Sequence, residues 1–122
     1  MAILVTGGAG YIGSHTCVEL LNSGYEVVVM DNLYNASEKA LERVEQITGK
    51  KLTFYNVDML DKDAMNAIFE KESSDSVIHF AGYKAVGESV QKPLEYYHNN
   101  ITGTLNLCDV MRHHGVKKLI FS

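Results

Sequence analysis

Short apolar runs alternate along this chain with longer stretches in which apolar and polar residues are mixed. The apolar runs are rich in Val, Ile and Leu, and their polar neighbours do not alternate with them. Such continuous runs are typical of strands that are buried on both faces, as in parallel sheets. The pattern therefore predicts five strands, at residues 3–5, 27–30, 52–57, 77–80 and 119–121.

The mixed stretches predict helices, and the first three are framed by residues that begin or end helices. One helix is predicted over residues 12–22, closed by Gly24. The second follows a capping Ser37 and ends at Gly49, and Asp61 caps the third. Their inward faces are predicted to carry Leu41, Val44 and Ile47 in the second helix, and Met65, Ile68 and Phe69 in the third.

A fourth, longer helix is predicted to begin near Pro93 and to end at Gly115. Gly103 in its middle costs about 1 kcal/mol relative to Ala, and a close neighbour such as a strand or a cofactor would explain it. An apolar stripe at three- and four-residue steps runs along this helix through Leu94, Tyr97, Ile101, Leu105 and Cys108.

Strands that alternate with helices indicate right-handed βαβ units. We expect an α/β fold with a doubly wound parallel sheet of strand order 3-2-1-4-5. The order reverses between the first and fourth strands, and ligands bind beyond the carboxyl ends of strands at such a point. The chain stops where the fifth strand ends, which we interpret as a portion of a longer protein, truncated before a sixth strand.

Composition narrows the possible functions. The 122 residues suit one domain, and 11 Lys and Arg against 15 Asp and Glu give a net charge of −4 without a basic cluster, which argues against a nucleic-acid partner. No apolar run approaches the ~20 residues of a membrane span. Cys17 and Cys108 are isolated, so we expect neither a disulfide nor a metal site, and buried free thiols fit a cytoplasmic protein.

The strongest motif is a glycine-rich stretch over residues 6–13, between the first strand and the first helix. Its glycines fit both Gly8-x-Gly10-x-x-Gly13 and Gly7-x-x-Gly10-x-x-Gly13. Glycines there allow a tight turn and a close approach of a pyrophosphate to the backbone at the helix N-terminus. The strand, the helix and a later acid supply the context of a Rossmann-like dinucleotide site, and a glycine turn without a ligand is the alternative.

The later acid is Asp31, which ends the second strand 18 residues after Gly13. A carboxylate there can accept both ribose hydroxyls of an adenosine and would repel a 2′-phosphate, which favours NAD over NADP. The alternative is a helix-capping Asp in a turn.

Three further candidates lie at strand ends or just beyond. Asp58 could accept the adenine amino group, or it could cap the third helix. His79 is interpreted as a buried, hydrogen-bonded histidine. Lys84 could meet a phosphate, although a solvated lysine is the more usual case.

Several motifs together resemble the UDP-glucose 4-epimerase family, within the extended short-chain dehydrogenases/reductases. The stretches 84–89 and 96–100 are far more specific to this family than the glycine motif is. The resemblance covers the whole chain and rests on residues 6–13, Asp31-Asn32-Leu33, Val57-Asp58, His79-Phe80-Ala81-Gly82, residues 84–89, residues 96–100 and Phe121-Ser122.

The resemblance implies interconversion of UDP-galactose and UDP-glucose by removal and return of a hydride at C4, with NAD as the cofactor. It also implies a homodimer that pairs the long fourth helix with the next helix of the family fold. The residues that it places around NAD are Gly7, Gly10, Tyr11, Ile12, Gly13, Asp31, Asn32, Asn35, Asp58, Met59, Phe80, Ala81, Gly82, Lys84 and Asn99.

The catalytic pair of the family is missing from these residues. The family uses a Tyr with a Lys four residues later, and none of the seven Tyr here has one. We therefore expect residues 1–122 to form an incomplete NAD-binding domain, without catalytic residues, without the substrate domain and without epimerase activity alone. The alternatives are a related nucleotide-sugar dehydratase or decarboxylase, and a non-catalytic dinucleotide-binding module.

Overall fold

Five parallel strands form one sheet in the order β3-β2-β1-β4-β5. A computed structural model describes residues 2–9, 11–32, 38–72, 74–80 and 102–121. The strands are β1 Ala2–Thr6, β2 Glu26–Asp31, β3 Thr53–Asn56, β4 Ser74–His79 and β5 Lys118–Phe121. The described helices are α1 Tyr11–Asn22, α2 Glu38–Thr48, α3 Lys62–Lys71 and α4 Gly103–His113.

The register brings the carboxyl ends of the strands to one edge. Thr6 of β1 pairs with Met30 of β2 on one side and with His79 of β4 on the other. The predicted strand order and its reversal beside β1 are therefore confirmed, and residues that follow β1, β2, β3 and β4 share this edge.

Helices cover both faces of the sheet. Successive residues of a strand point to opposite faces, so Ile3 and Val5 pack with α1 and α2, while Leu4 packs with α3 and α4. The two resulting apolar clusters explain why the strands are continuously hydrophobic, because each face of the sheet is buried.

The predicted bounds of α1, the predicted end of α2 and the predicted start of α3 agree with the structure, while Ser37 lies outside the described residues. Asp61 caps α3, and its carboxylate accepts a hydrogen bond from the Ala64 N–H at 3.1 Å. Gly24 and Gly49 follow α1 and α2 with φ of 90° and 67°, the left-handed backbone that ends helices. The expectation that Ile47 faces the core is wrong, because its side chain is exposed.

The predicted stripe of the long helix is also wrong where it is described. Leu105 is 64% exposed and Cys108 is exposed, whereas Leu107 and Val110 are fully buried against the sheet. The expectation of a buried Cys108 thiol therefore fails, while Cys17 is fully buried. Pro93, Leu94, Tyr97 and Ile101 lie outside the described residues.

Candidate dinucleotide-binding site

The turn between β1 and α1 brings main chain against main chain. Gly7 has a φ of 75°, and its N–H donates to the Met30 carbonyl at 2.9 Å. A Cβ on Gly13 would lie 2.2 Å from the Gly7 carbonyl oxygen, and a Cβ on Gly8 would lie 2.7 Å from a Val29 methyl carbon. Only glycine at these positions lets α1 begin directly above the end of β1.

Asp31 is built into the same turn. It is the last residue of β2 and is 8% exposed, and its Oδ2 accepts a hydrogen bond from the Ala9 N–H at 3.1 Å. This hydrogen bond joins the end of β2 to the glycine turn, while the residues just before α2, where a helix-capping Asp31 would act, lie outside the described ranges. A carboxylate is thereby fixed beside the N-terminal end of α1, where hydroxyl donors can reach it.

Asp58 is linked to the end of β2 through the side chain of Asn32, the residue that follows Asp31. Its Oδ2 accepts from the Asn32 amide at 3.3 Å, and its Oδ1 accepts from the Leu60 N–H at 2.9 Å. The alternative that Asp58 caps α3 is wrong, because the cap is Asp61. Asp31, Asn32 and Asp58 thus form a continuous polar edge beyond β2 and β3.

Met59, which was predicted to flank an adenine, has its side chain in the core. It is 6% exposed and belongs to the apolar cluster on the α3 and α4 face. A Cβ on Gly103 would lie 3.1 Å from the Met59 Cβ, and the Asn106 amide donates to the Met59 carbonyl at 3.0 Å. The close neighbour of Gly103 among the described residues is therefore this loop residue rather than a strand.

His79 joins three elements at the point where the strand order reverses. Its Nδ1 lies 2.6 Å from Thr6 Oγ1, and its Nε2 lies 3.2 Å from Thr104 Oγ1 on α4. The Phe80 N–H donates to the Thr6 carbonyl at 2.8 Å. This agrees with the interpretation of His79 as a buried, hydrogen-bonded histidine.

Titratable groups elsewhere do not gather into a second site among the described residues. Burial raises the pKa of the Cys17 thiol to about 12, so this sulfur is inert near neutral pH. A hydrogen bond from Lys62 lowers the pKa of Asp109 on the surface of α4. Within the described ranges, no three His, Cys, Asp or Glu side chains could hold a metal ion, and no helix is long and apolar enough to cross a bilayer.

The structure places nine of the predicted site residues. Five of them meet at the carboxyl edge of the sheet: Gly7, Gly13, Asp31, Asn32 and Asp58. Phe80 follows β4 at the same edge, and Met59 follows Asp58 along the chain. Tyr11 and Ile12 begin α1, where Ile12 is 61% exposed. Six predicted residues lie outside the described ranges: Gly10, Asn35, Ala81, Gly82, Lys84 and Asn99.

Sequence reasoning missed the groups that hold these residues in place. The Ala9 N–H, the Thr6 hydroxyl and the Asn106 amide each bond to a predicted residue that is far away along the chain. Gly103 was the one available sign of such a contact, since a glycine inside a helix indicates a close approach.

A glycine turn after β1, an acid at the end of β2 and a strand order that reverses beside them define a Rossmann-type dinucleotide-binding fold. Residues 3–122 match the model of the family described as "NAD dependent epimerase/dehydratase family". The chain belongs to this family, as its resemblance to the epimerases had indicated.

Individual relatives are epimerases. The chain is 67% identical to UDP-glucose 4-epimerase of Bacillus subtilis and 65% identical to that of Haemophilus influenzae, covering 100% of this chain and 36% of each relative. The crystal structure of UDP-glucose 4-epimerase from Bifidobacterium longum in complex with NAD+ and UDP superposes with a TM-score of 0.97 at 57% identity, over 100% of this chain and 36% of that one. The chain thus spans little more than a third of the length of these relatives.

Proposed function

We propose that this chain is the NAD-binding portion of a UDP-glucose 4-epimerase. The observation that carries the proposal is the Asp31 carboxylate, buried at the end of β2 and held against the glycine turn by the Ala9 N–H. The identity of 67% to the Bacillus subtilis epimerase over all 122 residues supports the particular reaction.

The residues present fit NAD. The close approach of Gly13 to the Gly7 carbonyl brings the start of α1 against the glycine turn, where the free N–H groups of a helix N-terminus can receive a pyrophosphate. Asp31 can accept ribose hydroxyls and would repel the extra phosphate of NADP. Asp58, which accepts a hydrogen bond from Asn32, is the proposed acceptor for the amino group of the adenine. When bound, NAD supplies the acceptor that takes up a hydride and returns it.

The proposed substrates of the whole protein are UDP-galactose and UDP-glucose. The isolated chain is expected to be inactive, because none of its Tyr residues has a Lys four residues later. Incubation of the purified chain with UDP-galactose and NAD should therefore yield no UDP-glucose, and measurable turnover would contradict this expectation.

The exposed side of α4 fits a subunit interface. Leu105 and Cys108 lie on this side, away from the core, and would be covered if the whole protein pairs through this helix as a homodimer. The free thiols Cys17 and Cys108 support a cytoplasmic location, where cysteines stay reduced.

A dehydratase or decarboxylase of the same family would share this fold. The relatives described above carry the epimerase name, so they do not favour that alternative. Product analysis of the whole protein with several UDP- and dTDP-sugars separates the reactions.

The direct test is calorimetric titration of the chain with NAD and with NADP. NAD should bind more tightly, and Asp31→Asn should weaken NAD binding by about tenfold or more, because a charge-assisted hydrogen bond contributes about 1.5–3 kcal/mol. The matched control is Asp75→Asn, since Asp75 also accepts a main-chain N–H, from Ala2 at 3.2 Å, at the opposite end of the sheet.

Three results would count against the proposal. One is the absence of NAD binding by the unsubstituted chain, and another is equal affinity for NAD and NADP. The third is an equal loss of NAD affinity in Asp31→Asn and Asp75→Asn, which would assign the effect to general destabilisation rather than to the ribose contact.

A further inference from the structure

Helix α4 holds the loop that follows β3 through two adjacent contacts. The Asn106 amide donates to the Met59 carbonyl at 3.0 Å. One turn earlier, the missing side chain of Gly103 lets α4 approach until a Cβ there would lie only 3.1 Å from the Met59 Cβ. One contact attracts the loop and the other sets how closely it can approach.

These contacts fix main chain next to a functional carboxylate. Met59 follows Asp58 directly, and its side chain is anchored in the core at 6% exposure. Asp58 itself accepts hydrogen bonds from Asn32 and from the Leu60 N–H, so its carboxylate has a defined direction toward the end of β2. A displacement of Met59 by a few tenths of an ångström would therefore redirect the Asp58 carboxylate.

We propose that Gly103 and Asn106 are positioning residues that set the preference of this site for adenine over hypoxanthine. The proposal rests on the proposed dinucleotide function. Adenine carries a 6-amino donor, which a carboxylate accepts, whereas hypoxanthine carries a 6-oxo group, which a carboxylate repels. Since hydrogen bonds weaken steeply with distance and angle, this discrimination depends on how firmly Asp58 is held.

The experiment compares NAD with nicotinamide hypoxanthine dinucleotide, which differs only at the base, by calorimetric titration of the full chain. Asn106→Asp keeps the shape of the side chain and replaces the donor to Met59 with an oxygen. Gly103→Ala adds the close Cβ and replaces glycine with the best helix-forming residue, so a general loss of helix stability cannot explain its effect. The control is Asn66→Asp, the same chemical change on α3, where Asn66 Oδ1 lies 3.2 Å from His114 Nε2.

The unsubstituted chain is expected to prefer NAD by about tenfold, the effect of one hydrogen bond to a charged group. Asn106→Asp and Gly103→Ala should each lower this ratio by about threefold or more through weaker NAD binding, while Asn66→Asp leaves it unchanged. Circular dichroism identifies a variant that fails to fold, in which case the other variant carries the test.

An unchanged ratio in the two variants, or an equal loss of affinity for both dinucleotides, would overturn the positioning role. Equal affinity of the unsubstituted chain for the two dinucleotides would overturn it too, while leaving dinucleotide binding intact. Binding of neither dinucleotide would overturn the proposed function itself, and the positioning role with it.

Discussion

Replacement of Gly13 by Ala tests how the glycine turn brings α1 to the edge of the sheet. The added Cβ would lie 2.2 Å from the Gly7 carbonyl oxygen, 2.9 Å from the Gly8 Cα and 3.0 Å from the Gly7 carbonyl carbon. All three are main-chain atoms, so no side-chain rotation can relieve the contact. The start of α1 must instead move away from the end of β1.

The size of the effect follows from two opposing contributions. The closest contact is about 0.8 Å shorter than the 3.0 Å that real Cβ atoms keep, which places the cost near the upper end of the range for overpacking, about 3 kcal/mol. Alanine in a helix recovers about 1 kcal/mol relative to glycine. The free energy of unfolding should therefore fall by about 2 kcal/mol, which lowers the melting temperature of a domain of this size by about 8 °C.

The control is Gly49→Ala, at the end of α2. Gly49 has a φ of 67°, and a Cβ there would meet no described atom within 4 Å, so its substitution introduces backbone strain of about 1–2 kcal/mol without a collision. Both variants should have a lower melting temperature than the unsubstituted chain in thermal unfolding. Calorimetric titration should show NAD affinity reduced by about tenfold or more only in Gly13→Ala, because only there does the helix N-terminus leave the turn. Equal NAD affinity in Gly13→Ala and Gly49→Ala would refute the reasoning.

The remaining predictions concern packing, thiol reactivity and pH. Leu107→Ala removes a fully buried side chain and should lower the urea-derived free energy of unfolding by about 2–5 kcal/mol; a loss below 1 kcal/mol would contradict the packing. Iodoacetamide should label Cys108 alone in the folded chain and Cys17 only after unfolding, as intact mass will show. The pKa of Asp109 is lowered, so its bond to Lys62 contributes its full stabilisation at pH values above the ordinary pKa of a carboxyl group. This stabilisation is lost as the pH falls through the lowered pKa. The stability difference between the chain and Asp109→Asn should therefore be small, should shrink with salt, and should vanish in acid.

The sheet could be predicted because its physical cause is local in the sequence. A strand buried on both faces needs apolar residues at every position, and residues 3–5 and 27–30 show this directly. Right-handed crossovers and the position of the glycine motif then left few possible strand orders, and the predicted one is confirmed.

The inward face of α4 could not be predicted from spacing alone. Two apolar stripes run along this helix, one through Leu105 and Cys108 and the other through Leu107, Val110 and Met111. Both have helical periodicity, and only contact with the sheet distinguishes them. Gly103 lies on the same stripe as Leu107, so its close approach to Met59 was the feature that could have identified the buried face.

Hydrogen bonds within the site were beyond prediction for a different reason. Asp31 bonds to Ala9, and His79 to Thr6, across sequence separations of 22 and 73 residues. Motif spacing indicates which residues reach the carboxyl edge, but the fold decides which atoms meet there.

These long-range bonds also bear on how the site works. They join the glycine turn to β2, the loop after β2 to the loop after β3, and β1 to β4 and α4. The side chains that take part in these bonds are therefore held by a neighbouring element without a ligand. Because ordering a side chain on binding costs about 0.5–1.5 kcal/mol, a site whose carboxylates are already held loses less affinity to this cost. The bond from Asn106 to the Met59 carbonyl orders the loop after β3 in the same way, which is the basis for proposing that Asn106 influences which base the site prefers.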